Sequence, residues 1–178
     1  MKVLTIMHNG FEELEAIGTL ALLRRAGIEC DITSFEGDKC TGRYNIEVST
    51  IPFNNVNKYD YDLLFLPGGP HYAKILNNPK ALELLKYYTE NKAVAAICAG
   101  PTVLGKLGLL KGKNYTCFSS MNEDFGGNYI DTYSVMDGNI ITGKSAAASI
   151  DFGFMIIKYL LGENKELEIK NQIYYFSK

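Results

Sequence analysis

The stretch 93-AVAAICAGPTVLGKL-107 carries the strongest indication of the fold. Ala93–Ile97 is a short run of small and branched apolar residues, which is typical of a strand buried at the centre of a sheet. Because proline suits the first turn of a helix, a helix is predicted over Pro101–Leu107. Cys98 lies between the two elements. We therefore expect a sharp strand-to-helix elbow that lifts the Cys98 thiol clear of the sheet.

The rest of the chain shows the same alternation of short apolar runs and longer helical patterns. Strands are predicted at Val3–Met7, Ile28–Phe35, Asp62–Leu66, Tyr115–Phe118, Tyr129–Val135 and Asn139–Thr142. Helices are predicted at Glu13–Ala26, Pro79–Asn91 and Ala146–Leu161, a flanking hairpin within Gly37–Pro52, and a final short helix with an extended end after Gly162. With no linker or repeat in residues 1–178, the pattern predicts a single α/β domain. Its fold class is a flavodoxin-like sandwich, with a mostly parallel sheet and helices on both faces.

The composition gives no reason to expect nucleic acid or a membrane as a partner. The 178 residues are 47% apolar and 21% charged, with a formal net charge of −2. Nothing in this balance favours nucleic acid or an anionic membrane as a partner. The apolar run Ile150–Ile157 is interrupted by Asp151 and is too short to span a bilayer, and the N-terminus lacks the pattern of a signal peptide. A cytoplasmic protein is therefore expected.

Four cysteines are spread along the chain without a CxxC pair or a nearby histidine doublet. This pattern predicts free thiols, with neither disulfides nor a metal site. Cys30 and Cys117 lie in or beside apolar strands and are expected to be buried and inert. Cys40 lies in a turn-rich segment and is expected to be the main rival of Cys98 in reactivity.

Three predicted strands are followed by residues that could bind or react with a ligand. Ligands of parallel sheets bind at the carboxyl ends of the strands. At the first, the helix after Cys98 is expected to favour its thiolate, although a plain core cysteine is the alternative. At the second, Gly68 and Gly69 expose backbone N–H groups. Those of Gly69 and Ala99 are the candidate oxyanion hole, and a simple tight turn is the alternative.

The third strand end is 10-GFEELE-15. Glu12 and Glu13 are explained by the helix dipole, which favours acidic residues in a first turn. Glu15 lies one turn into the helix and could face the crevice. A buried carboxyl beside a thiolate would be pushed toward its protonated form and would donate a hydrogen bond to sulfur. A helix-start carboxylate without a further role remains the alternative.

Taken together, the segments FEELEA (11–16), PGG (67–69) and AAICAGP (95–101) resemble the ThiJ/PfpI superfamily. The likeness is strongest to its Parkinsonism-associated deglycase branch and the bacterial relatives of that branch. It runs from Met1 to about Gly162 and includes RRAGI (24–28) and the turn at 137–138. The resemblance implies that Cys98 is the reactive, oxidisable cysteine and Glu15 its protonated partner. It also implies that Gly69 and Ala99 are the backbone donors.

Two departures limit what the resemblance implies. Members described as peptidases or chaperone-type glyoxalases have histidine directly after the cysteine, where this chain has Ala99. The deglycase branch often has another histidine near the thiol, and the matching position here is Phe118. His8 and His71 lie near strand ends and are expected either to line the pocket or to have surface or capping roles. No histidine follows His71, which excludes a glutamine amidotransferase.

The resulting functional prediction is a cofactor-independent enzyme acting on small reactive carbonyls such as methylglyoxal, as a glyoxalase or a deglycase. The alternative is a redox sensor or stress chaperone that works through oxidation of Cys98. An unrelated hydratase or hydrolase on the same fold also remains open. The resemblance implies a homodimer. Helix Glu13–Ala26 supports one by having more apolar surface than a single sheet contact needs, with full packing inside its own domain as the alternative.

Overall fold

The computed structural model describes residues 1–176 and has a seven-stranded sheet at its centre. The strands are β1 Lys2–Met7, β2 Glu29–Ser34, β3 Lys39–Thr41, β4 Glu47–Ser49, β5 Ile51–Pro52, β6 Leu63–Leu66, β7 Ala93–Ile97, β8 Asn114–Tyr115, β9 Asn128–Tyr129, β10 Ser134–Asp137 and β11 Ile140–Gly143. The sheet order is β10-β11-β7-β6-β1-β2-β5, and only the β10–β11 pair is antiparallel. The pairs β3–β4 and β8–β9 form two small separate sheets.

Six α-helices cover the sheet in the described part of the chain. They are α1 Thr19–Arg25, α2 Tyr72–Leu76, α3 Pro79–Asn91, α4 Gly100–Lys106, α5 Ser149–Leu161 and α6 Glu163–Gln172. A π-helical turn, Leu14–Gly18, precedes α1. Short 3₁₀ turns lie at Phe53–Asn55, Lys58–Asp60, Ser119–Met121 and Ala146–Ala148.

The strand side chains alternate between two hydrophobic cores, one on each face of the sheet. On β7, Ala93, Ala95 and Ile97 pack into the core shared with α1 and α5, and Val94 and Ala96 into the core shared with α3 and α4. Both faces are therefore buried, which is why these strands read as continuous apolar runs. The predicted α/β fold, with its mostly parallel sheet and helices on both faces, is confirmed.

Several predicted elements differ from the structure. The strand predicted at Tyr115–Phe118 ends at Tyr115, because the next backbone amide, Thr116 N–H, donates to the Thr142 hydroxyl at 2.9 Å rather than to a strand. The strand predicted at Tyr129–Val135 is two short strands separated by a largely exposed segment. Helix α2 was not predicted, since five residues give too short a pattern. The tail forms α6, and Ser177 and Lys178, the end of the predicted extended segment, lie outside the described residues.

Candidate active site

Cys98 forms the elbow between β7 and α4 in a left-handed backbone conformation, with φ at +62°. Such a conformation is uncommon for a residue with a side chain and persists only when the surrounding structure holds it. Here the Cys98 N–H donates to the Gly143 carbonyl at 2.9 Å, and the Cys98 carbonyl accepts from the Phe118 N–H at 2.9 Å. Two neighbouring segments thus fix the elbow on either side of the thiol.

Glu15 lies in the π-helical turn, where the helix is wider than an α-helix. Such turns are rare and are frequent at functional sites. Glu15 is only 1% exposed, lies beside the Cys98 side chain, and accepts the Gly68 N–H at 2.9 Å through Oε2. Its own N–H donates to Glu12 Oε2 at 2.8 Å. The carboxyl group is therefore held between the β6 loop and the elbow.

Glu15 and Cys98 compete for one proton. Burial raises the pKa of Glu15 to about 7, with a smaller contribution from the Glu12 charge. Burial and the nearby Glu15 carboxylate also raise the pKa of Cys98, whereas the backbone amide of Ala99 lowers it. The raised pKa of Cys98 contradicts the prediction that the following helix favours its thiolate. A proton on Glu15 removes the repelling charge, which is the second of these two causes, and so favours the thiolate.

Gly68 and Gly69 leave no room for a side chain. A Cβ on Gly68 would lie 2.4 Å from Glu15 Oε2 and 2.7 Å from Cys98 Cβ. Gly69 has φ at +100°, and a Cβ there would lie 2.6 Å from both the Glu12 nitrogen and the Gly10 oxygen. Gly68 thus lets the carboxyl and the thiol meet, and Gly69 lets the two loops pack together.

A pocket of about 460 Å³ opens above the pair. Its polar wall is formed by Glu12, Glu15, Arg43, Tyr44, Tyr72 and Ser145. Its apolar wall is formed by Gly69, Pro70, Ala99, Phe118, Met121 and the alanines at 146 and 147. Cys98 thus shares one cavity with Glu15, Gly69, Ala99 and Phe118. Phe118 is 41% exposed and lies where the resemblance implied a histidine.

Neither His71 nor His8 lines this pocket, so the first of the two roles expected for these histidines is wrong. His71 is 0% exposed; its Nε2 donates to the Pro67 carbonyl at 2.8 Å and its Nδ1 accepts the His8 N–H at 3.1 Å. Burial lowers the pKa of His71 to about 4. The His8 ring stacks on Phe35, with Nδ1 3.1 Å from Glu36 Oε1. The two rings therefore link the loops that follow β1, β2 and β6.

A model of the DJ-1/PfpI family matches residues 1–159. The chain belongs to the DJ-1/PfpI family. The family predicted from the FEELEA, PGG and AAICAGP segments is thereby confirmed.

Relatives in this family include both archaeal and animal proteins. "Deglycase PfpI" of Pyrococcus furiosus is 37% identical over 149 residues, which are 81% of this chain and 90% of that protein. "Protein dj-1beta" of Drosophila melanogaster is 31% identical over 174 residues, 93% of this chain and 92% of its own. The crystal structure of Drosophila DJ-1beta has a TM-score of 0.89 at 30% identity, with 97% of each chain covered. A DJ-1 superfamily protein of Salmonella typhimurium has a TM-score of 0.88 at 30% identity, with 99% of each covered.

The cysteines of this DJ-1/PfpI protein differ from expectation at one position. Cys40 is only 1% exposed, whereas Cys98 is partly exposed, so the expectation that Cys40 rivals Cys98 in reactivity is contradicted by its burial. Strand β3 places Cys40 against the core, which the turn-rich sequence did not indicate. Cys30 and Cys117 are buried, as expected, and Cys98 is the only thiol of the four that is not buried.

Sequence reasoning missed the contribution of the β3–β4 hairpin to the DJ-1/PfpI pocket. Arg43 and Tyr44, in its turn, line the cavity. Glu13, expected only to complement a helix dipole, is buried and accepts the Tyr44 N–H at 2.6 Å. A Cβ on Gly42 would lie 2.3 Å from the Glu13 carboxyl, so the glycine before Arg43 was the available signal.

Two classes of feature are absent from the described part of the chain. Within residues 1–176, no group of three or more His, Cys, Asp or Glu side chains is arranged to hold a metal ion. None of the helices in that range is long and apolar enough to cross a membrane.

Proposed function

We propose that this protein is a cofactor-independent enzyme that uses Cys98 to act on small reactive carbonyls, as a glyoxalase or a deglycase. The observation that carries the proposal is the buried Glu15 carboxyl, which lies in one pocket with Cys98 and whose pKa is raised to about 7 by burial. A carboxyl poised near neutral pH can give and take a proton in one cycle. The relative named "Deglycase PfpI" supports a role of this class.

For methylglyoxal, the first step is addition of the Cys98 sulfur to the aldehyde carbon. The carbonyl electron pair moves to oxygen, which takes the proton held by Glu15, so that a hemithioacetal forms and Glu15 is left as a carboxylate. The N–H groups of Gly69 and Ala99, both in the pocket wall, are proposed to stabilise the developing oxyanion. Within residues 1–176 the Gly69 N–H donates no other hydrogen bond, so it is free for this role.

Glu15 then moves a proton between the two substrate carbons. Its carboxylate takes the proton from the former aldehyde carbon and returns it to the former ketone carbon, while the hydroxyl proton passes to the ketone oxygen. The product is a thioester of lactate on Cys98. Water cleaves this thioester, which releases lactate and restores the thiol. The net reaction consumes one water and needs no oxidant or cofactor.

The test is lactate formation from methylglyoxal by the purified protein. Wild type should form D-lactate, and Cys98→Ser should abolish it. Cys117→Ser is the matched control, because that thiol lies outside the pocket wall and should leave turnover intact. Glu15→Gln should reduce turnover by about 10² or more, since an amide cannot transfer the proton. Turnover that survives Cys98→Ser would refute the proposal.

A second candidate function is a redox sensor or stress chaperone, with peroxide oxidising Cys98 to a sulfinic acid that Glu15 stabilises. Phe118 favours this alternative, because it occupies the wall beside the thiol and cannot carry a proton. Incubating the protein with peroxide and with methylglyoxal distinguishes the two functions. A sensor would consume peroxide at Cys98 and leave methylglyoxal unchanged.

We also propose a homodimer, formed through the helix that carries Glu15. Leu14 is 58% exposed and Ile17 38% exposed, and Ala21 continues the same stripe at helical spacing. The remaining apolar residues of this helix, including Leu20, Leu22 and Leu23, are buried in its own domain. The stripe of Leu14, Ile17 and Ala21 is thus the surface left for a second copy.

A further inference from the structure

Among residues 1–176, Arg43 is the only basic residue in the wall of the Cys98 pocket. Its guanidinium lies over the Tyr44 ring, 5.0 Å from the ring centroid. Within residues 1–176 no carboxylate lies within 4.0 Å of it, and its side chain makes no hydrogen bond. The pocket therefore contains a cation whose donors are unused by the described residues.

The backbone that carries Arg43 is held in place. The Arg43 N–H donates to the Phe11 carbonyl at 2.9 Å, which ties the hairpin turn to the segment leading into Glu15. Glu13 Oε1 accepts the N–H groups of Tyr44 at 2.6 Å and Ile46 at 3.4 Å. The turn is thus held at Arg43 and at two residues that follow it by the segment that leads into Glu15.

The charge of Arg43 acts inside the site. It lowers the pKa of Glu15, opposing the effect of burial. Glu12 and Glu15 are the two acidic groups in the wall, and an acidic pocket without Arg43 would repel an anion. A guanidinium presents a planar fork of donors that matches carboxylate and phosphate oxygens.

We propose that Arg43 is an anion-recognising residue and that the preferred carbonyl compounds carry a carboxylate or a phosphate near the aldehyde. The aldehyde part of this inference rests on the function proposed above. The anion part does not, because it can be measured on the thiol without any turnover.

The experiment compares two alkylating agents of nearly equal size, anionic iodoacetate and neutral iodoacetamide. Each forms one S–CH₂ bond at the Cys98 sulfur and releases iodide. Rate constants are measured at low ionic strength, with mass spectrometry reporting modification at Cys98. The variants are Arg43→Gln and Arg43→Lys. Lys86→Gln is the control, since this exposed lysine on α3 has the same charge but lies outside the pocket wall.

Arg43→Gln should lower the iodoacetate rate constant roughly fivefold and change the iodoacetamide rate constant by less than about twofold. Arg43→Lys should retain part of the iodoacetate rate, and Lys86→Gln should match wild type. Added salt should weaken the wild-type preference and leave Arg43→Gln unaffected. Equal iodoacetate rates in wild type and Arg43→Gln would overturn the proposal. So would an equal fall with both agents, because Arg43 would then act on the thiol itself.

Two competitors identify the ligand chemistry. Glyoxylate should protect Cys98 from iodoacetamide better than its neutral methyl ester in wild type, and Arg43→Gln should remove the difference. Inorganic phosphate should slow iodoacetate alkylation only when Arg43 is present. If no lactate forms while these preferences are observed, the anion subsite is supported and the carbonyl chemistry is refuted. If lactate forms but both preferences are absent, only the anion subsite is refuted.

Discussion

Replacing Glu15 with glutamine should make the stability of the protein less dependent on pH. Glutamine keeps the shape of the side chain, so its oxygen can still accept the Gly68 N–H and its amide can donate to the Cys98 sulfur. It cannot ionise. The variant therefore removes one buried carboxyl titration while leaving both contacts, and the difference from wild type reports the proton that Glu15 shares with Cys98.

The magnitude follows from the pKa shift. The carboxyl titrates at 4.5 in an unfolded chain and at about 7 in the folded protein. Since the folded state binds the proton more tightly, this stabilisation is complete below pH 4.5 and is lost as the pH rises through 7. The full shift corresponds to about 3.4 kcal/mol. The part of this stabilisation that is lost between pH 5 and pH 8 is about 2.5 kcal/mol.

The assay is urea unfolding of wild type and Glu15→Gln at pH 5, 6, 7 and 8. Groups outside the Glu15–Cys98 pair titrate in both proteins, so subtraction isolates the titration of that pair. Between pH 5 and pH 8, the free energy of unfolding of Glu15→Gln should rise by about 2.5 kcal/mol relative to that of wild type. Glu90→Gln, which removes an exposed carboxyl on α3, should follow the wild-type profile. Parallel profiles for wild type and Glu15→Gln would show that Glu15 is ionised throughout, and the proton-transfer role would be refuted.

Three further predictions concern reactivity, assembly and specificity. Limited peroxide should oxidise Cys98 before the three buried thiols, and mass spectrometry that found Cys40 modified first would contradict this. Light scattering at micromolar concentration should give a dimer mass, which Leu14→Asp should reduce to that of a monomer; a monomeric wild type would refute the dimer. Casein and fluorogenic peptides should remain intact, because the buried, neutral His71 cannot serve the thiol. Cleavage lost in both Cys98→Ser and His71→Ala would establish a Cys–His dyad instead.

The sequence alone was sufficient for the alternation of elements and for the elbow. Strand β7 and helix α3 have the predicted bounds, since both have strong apolar patterns and clear ends. The π-helical turn before α1 could not be predicted, because its residues have the same apolar spacing as an α-helix. The segment after β8 was predicted as a strand from its β-branched and aromatic residues. Its hydrogen bonds go instead to side chains and to the elbow, which a local pattern cannot indicate.

What the sequence determined about function is which residues could take part: Cys98 at the elbow, Glu15 one turn into a helix, and glycines after a strand. The tertiary structure decided their chemistry. Burial, which depends on residues far apart in the chain, sets the pKa of Glu15 near 7, makes His71 neutral and removes Cys40 from contact with solvent. The same distant packing brings Arg43 to the pocket, because the Glu13 carboxyl holds the hairpin turn against the loop before Glu15. Desolvation and charge act through space, so residue type and spacing alone could not supply them.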